Sequence, residues 1–132
     1  MLGAAGHDGW CIDHFAEGNT PGEWRNNLPA DWQHVRLICA DLTCVPEKVP
    51  GNLALLHLDA DHSYRATKLA FDLYAHKVRP GGHMVIHDAW PTLEAAYNLW
   101  PETTRFVADL IRRTVDWEIV CNAGRSAAFR KR

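Results

Sequence analysis

Apolar residues in this chain come in short runs that end on acids. Leu53-Ala-Leu-Leu-His-Leu58 is nearly continuous and opens onto Asp59-Ala-Asp61-His62-Ser63-Tyr64, and Gly81-Gly-His-Met-Val-Ile86 opens onto His87-Asp88-Ala-Trp90 in the same way. Two further runs, Gly9-Trp-Cys-Ile12 and His34-Val-Arg-Leu-Ile-Cys-Ala40, stop at Asp13 and Asp41. Runs of this length with little alternation predict strands buried on both faces, as in a parallel sheet. Between Tyr64 and Val78 the spacing changes: Ala66, Leu69, Ala70, Leu73, Tyr74 and Lys77 recur at steps of three and four. That spacing predicts a helix over 64–78, with Lys77 and Arg79 near its negative end and Pro80-Gly81-Gly82 as the stop.

The remaining elements follow from breakers and patterning. A Gly-, Asn- and Pro-rich loop runs from Asp13 to about Gly22, a short helix is predicted over 23–28, and Pro29-Ala-Asp-Trp32 reads as a turn. Pro46, Pro50 and Gly51 break the stretch before Leu53. After Trp90 the chain reads as a loop through Pro91, a helical stretch broken near Pro101, and a helix over 103–114. Trp117–Cys121 and Ser126–Arg130 flank Asn122-Ala-Gly124-Arg125, which predicts a terminal hairpin. The order implies a single α/β domain over 1–132, with a Rossmann-like, mostly parallel sheet, helices on both faces and a C-terminal antiparallel hairpin. In open α/β sheets the ligand crevice lies beyond the carboxyl ends of the strands, where this chain keeps its acids.

Composition narrows the function classes. With 132 residues, 47% of them apolar, the chain can bury one core of ordinary size. Sixteen acids against fourteen bases leave a formal charge of −2, a balance that argues against nucleic acid as partner. No apolar run approaches the roughly 20 residues that cross a bilayer, and the N-terminus lacks signal-peptide character, so no membrane role and a cytoplasmic location are expected. Cys11, Cys39, Cys44 and Cys121 form no C-x-x-C pair and are expected to be free thiols.

The block from Leu58 to Trp90, with its L-D-x-D-H-S-Y segment, following helix, R-P-G-G turn and H-D strand end, resembles the class I S-adenosylmethionine-dependent methyltransferases. In particular it resembles small-molecule O-methyltransferases of the methyltransferase family 24 type. The likeness covers nearly the whole chain and implies S-adenosyl-L-methionine as cofactor and a small-molecule hydroxyl as substrate. It implies that Asp13 binds the cofactor's ribose hydroxyls, that Asp41 lies near the adenine amine, and that Asp59 also lies at the cofactor. A carboxylate can accept both hydrogen bonds of a ribose diol, which suits the first assignment. The family begins with a strand and a Gly-rich E/D-x-G-x-x-x-G turn that this chain lacks. The sequence therefore reads as N-terminally truncated, with a gap beside the Asp13 and Asp59 strands that direct pairing or a partner chain, as in a homo-oligomer, would close.

Two chemical routes stand open. In one, Asp59 and Asp88, on neighbouring strand ends about 4.8 Å apart, share Mg²⁺ or another divalent cation with His87 or Asp61 completing the set. In the other, which we favour, His62 is the general base, its ordinary pKa lying near working pH. Asp61-His62-Ser63 can also cap the following helix, His57 and His83 read as packed or edge histidines, and Trp90 and Trp100 as core and rim. The leading function is methyl transfer to a hydroxyl, the alternative a methyltransferase-like module without activity. A metal-dependent hydrolase ranks below both because it leaves the P-G-G turn and hairpin unexplained.

Overall fold

A computed structural model describes residues 8–14, 20–29, 35–92 and 99–132. The Gly-rich start, most of the loop before Thr20, the turn at 30–32 and the helical stretch at 93–98 lie outside the described residues. The chain divides into two compact units, Met1–Val49 and Pro50–Arg132.

In the first unit, β1 (Gly9–Asp13) pairs in parallel with β2 (Val35–Cys39), Gly9 opposite Val35 and Asp13 opposite Cys39. Parallel pairing brings Asp13 and the Asp41 segment to the same, carboxyl end of the pair. Helix α1 (Pro21–Asn26) starts two residues earlier than the sequence pattern indicates. The reason is a capping box: Glu23 N–H donates to Thr20 Oγ1 at 3.2 Å while Thr20 N–H donates to Glu23 Oε2 at 2.8 Å. Pro21 occupies the first turn, where its missing N–H costs nothing. After β2, Asp41 caps a single 3-10 turn, Leu42–Cys44, and a second follows at Pro46–Lys48.

The second unit holds a four-stranded sheet in the order β3-β4-β6-β5. Strand β3 (Leu53–Leu58) runs parallel to β4 (Val78–His87), and β6 (Ser126–Lys131) pairs antiparallel with both β4 and β5 (Trp117–Ala123). The described strands thus form two sheets rather than one, and β3 is an edge strand of its own. The hairpin turn is Gly124-Arg125, with Gly124 at φ +60°. All four cysteines are free.

Helix α2 (Tyr64–Tyr74) ends earlier than its spacing suggests, passing into a 3-10 turn at Ala75–Lys77 and then directly into β4. Pro80-Gly81-Gly82 is therefore not a stop between helix and strand but a bulge inside β4, where the register with β3 shifts after Leu53. Gly81 takes φ +74°, and a Cβ on Gly82 would sit 2.7 Å from Val78 Cγ1 and 2.9 Å from the Leu53 and Arg79 carbonyl oxygens. Only glycine lets the chain bend there. Beyond the bulge β4 alternates, turning Met84 and Ile86 into the core, where they meet Phe129 and Ala127 of β6; all four are at most 1% exposed.

Helix α3 (Pro101–Arg113) packs on α2 through Phe106, whose ring lies 5.6 Å from both Tyr64 and Phe71. Phe71 also meets Trp117 at the start of β5. No helix among the described residues is long and apolar enough to cross a membrane.

Candidate active site

The second unit's site is built where β3 and β4 end side by side. Beyond Leu58 the chain turns through Asp59, Ala60 and Asp61 into Ser63, the N-cap of α2. Ser63 Oγ accepts from Ala66 N–H at 3.2 Å, and Asp61 Oδ1 accepts from Ser63 N–H at 2.7 Å. That backbone bond holds the Asp61 carboxyl below its ordinary pKa. Asp61 is thus committed to the cap, which leaves His62 at the apex of the turn. The His62 carbonyl accepts from Thr103 Oγ1 at 3.1 Å, and its imidazole stacks on Trp100 at 4.3 Å between centroids. Backbone and ring are both fixed.

Asp88 comes from the end of β4. It is 2% exposed and sits at φ +50°, a left-handed conformation that Asp tolerates better than most residues. His62 Nε2 lies 2.7 Å from its Oδ2, while Arg125 Nε donates to Oδ1 at 2.9 Å and Arg125 Nη2 bonds the same oxygen. Burial raises the Asp88 pKa, but the Arg125 hydrogen bond, the charge of His87 and the His62 hydrogen bond together outweigh it and hold the carboxyl below its ordinary value. Arg125 in turn lies 5.5 Å from the Trp90 ring and 5.4 Å from that of Trp100. Trp90 is buried core, as the sequence suggests, whereas Trp100 is part of the site.

His87 Nδ1 is buried without a hydrogen-bond partner, although it lies 3.2 Å from Asp88 Oδ2 and 3.4 Å from Asp59 Oδ1. A cavity of about 10 Å³, room for about one water, is lined by Asp59, Asp61, His62, His87 and Thr103 among others. His57 and His83 face outward, with His57 tilted against His87 at 6.1 Å.

Asp59, His62, His87 and Asp88, singled out in the sequence, are therefore together. Asp13 and Asp41 belong to the first unit and are exposed. Asp41 Oδ1 accepts from the Thr43 hydroxyl at 2.6 Å and from its N–H at 2.8 Å, bonds that lower its pKa. Arg125 and Thr103 are not legible in the sequence as site residues, and Trp100 reads there as core or rim ahead of a substrate mouth. Arg125 read only as part of a turn, and 37 residues separate it from Asp88.

Does the cluster fit a divalent cation? Asp59, His62 and Asp88 can each bring one ligand atom within 4.8 Å of the others, which is close enough. The donors decide against a hard ion. Mg²⁺ wants oxygen ligands, and of the two carboxylates Asp88 already carries three hydrogen bonds, from His62 and Arg125. As arranged, the set does not fit Mg²⁺ unless one of these is displaced.

A family model described as a methyltransferase domain matches residues 2–89. The chain belongs to this methyltransferase family, and its fold is that of the class I S-adenosylmethionine-dependent enzymes. Among solved structures, a protein of Corynebacterium glutamicum is 15% identical over 92% of this chain and 59% of its own, with a TM-score of 0.62. MycE, a methyltransferase of the mycinamycin biosynthetic pathway, was solved with Mg, S-adenosylhomocysteine and mycinamycin VI; it is 18% identical over 92% of this chain and 36% of its own, with a TM-score of 0.61. A second MycE crystal form, with Mg and S-adenosylhomocysteine, gives 20% identity over 74% of this chain and 33% of that one, with a TM-score of 0.53. This chain thus spans between one third and three fifths of these structures. No curated protein matches it.

Proposed function

We propose that this domain serves S-adenosylmethionine-dependent transfer of a methyl group to a hydroxyl of a small molecule, with His62 as general base. The observation that carries this reading is the 2.7 Å bond between His62 Nε2 and the buried Asp88 carboxylate, in a chain of a methyltransferase family. An ionised carboxylate only accepts, so the bond assigns the proton to Nε2 and leaves the Nδ1 lone pair to receive a proton from the substrate hydroxyl. Asp88 then stabilises the imidazolium that forms. Thr103 holds the His62 backbone through its carbonyl and Trp100 stacks on the imidazole, so that no ring rotation is needed at the moment of transfer.

When bound, S-adenosylmethionine supplies the electrophilic methyl group. Three carboxylates are proposed for its polar parts. Asp13 offers an exposed carboxylate at the carboxyl end of β1, suited to a ribose diol. Asp41 is proposed for the adenine side, its conformation set by Thr43. Asp59, half-exposed beside His87, is proposed for the cofactor end of the second unit's site. Mycinamycin VI, which MycE binds, is a first small molecule to test.

Isothermal titration with S-adenosylhomocysteine tests the reading. One-to-one micromolar binding, weakened in Asp13→Ala, supports it. A folded chain that binds none points to a module without activity.

A further inference from the structure

We infer that Arg125 is the resident cation of this site: it neutralises Asp88 in the position a divalent metal would take, and so positions Asp88 to orient His62. The inference rests on the functional reading above and concerns how that base is held.

The geometry is that of a built support. Two nitrogens of one guanidinium meet one oxygen of a carboxylate that is 3% exposed, while His62 takes the other oxygen. A buried carboxylate requires a paired charge, and removing the partner strands it. Arginine meets the requirement at every working pH, since its guanidinium does not deprotonate.

The guanidinium is itself restrained. Its residue forms the tip of the β5–β6 turn, where the Arg125 carbonyl accepts from Ala89 N–H at 3.1 Å, tying the tip to the residue after Asp88. The same tie holds the backbone beside the left-handed Asp88. Trp90 and Trp100 flank the charge at 5.5 and 5.4 Å, and Trp100 also stacks on His62. Arg125, Asp88 and His62 therefore form a line of charge, acceptor and base braced along one side by indole rings. A dication entering here must remove Arg125 or His62 from Asp88. Like charges cannot share that carboxylate without loss.

The test is Mn²⁺ binding to the whole chain, read by electron paramagnetic resonance, alongside calorimetric titration with S-adenosylhomocysteine. The wild-type chain is expected to bind Mn²⁺ weakly. Arg125→Ala and Arg125→Gln, which free Asp88, are expected to bind it at least about tenfold tighter. Adding Asp88→Asn should abolish the gain, and Arg125→Lys, which keeps the charge, should stay weak. A wild-type chain that binds one Mn²⁺ through Asp88 no more weakly than Arg125→Gln overturns the inference. Should both neutral variants fail to fold, the wild type decides. Stoichiometric Mn²⁺ binding lost in Asp88→Asn overturns the inference, and affinity for S-adenosylhomocysteine unchanged between chelator and added Mn²⁺ upholds it. Absence of any S-adenosylhomocysteine binding, with the Mn²⁺ pattern intact, overturns the methyltransferase reading and leaves the role of Arg125 standing.

Discussion

His62 Nε2 lies 2.7 Å from Asp88 Oδ2, although 26 residues separate the two. One residue is fixed by a helix cap and the other by a strand end, so neither needs the other to find its place. Removing the imidazole should therefore remove proton transfer and little else. In His62→Ala, methyl transfer to an accepted hydroxyl substrate should fall about 100-fold or more, with affinity for S-adenosylhomocysteine within about twofold of wild type. Equal losses in binding and turnover would mean that His62 holds the cofactor rather than the proton.

Asp88 also makes stability depend on pH. Its carboxyl has a lower pKa in the folded chain than in the unfolded one, so its contribution is present above the unfolded value of about 3.9. That contribution is lost as pH falls through the folded value. The melting temperature of the wild-type chain should drop on acidification below about pH 4. Asp88→Asn tolerates the same backbone and should melt lower at neutral pH, with a flatter acid limb. Parallel acid limbs in the two proteins would show that Asp88 is not the group responsible.

The bulge in β4 predicts a sharp contrast between glycines. Gly82→Ala places a methyl 2.7 Å from Val78 Cγ1 and 2.9 Å from two carbonyl oxygens, and should cost about 1–3 kcal/mol in urea unfolding. Gly51→Ala meets nothing within 4 Å and should be near neutral. Equal costs at the two sites would refute the packing of the bulge.

Phe129 is 0% exposed between β4 and β5. Phe129→Ala should destabilise the second unit by about 3–5 kcal/mol, measured as a shift in the urea midpoint at unchanged slope. A loss below 1 kcal/mol would mean that the sheet's centre is less tightly filled than its burial indicates.

Much of this architecture was legible because the signals are local. Strands β1 and β3 have the bounds their apolar runs indicate, and the hairpin lies where its turn residues place it. The Asp59, His62 and Asp88 grouping follows from parallel strands ending side by side. Errors came where two local signals compete. Pro80-Gly-Gly carries the composition of a stop, yet a strand can run through it as a bulge once glycine permits the close approach to Leu53. At Thr20 the capping box, not the apolar pattern behind it, sets where α1 begins. Arg125 was beyond local reading altogether. Its partner is set by which strand pairs with β4, and only the antiparallel return of β6 brings the turn to Asp88.

That return also orders events in time. During synthesis Asp88 emerges well before Arg125, and a nascent chain that has completed β3, α2 and β4 holds the acid without its counter-charge. Strand β4 has only one neighbour at that stage, and the carboxylate beside it must stay hydrated. In the finished fold, β6 both carries Phe129 into the core and follows the turn that brings the guanidinium to Asp88. If His62 is the base, as proposed, its support by Asp88 and Arg125 is complete only once β6 has paired, and a chain that stops before β6 should be chemically silent.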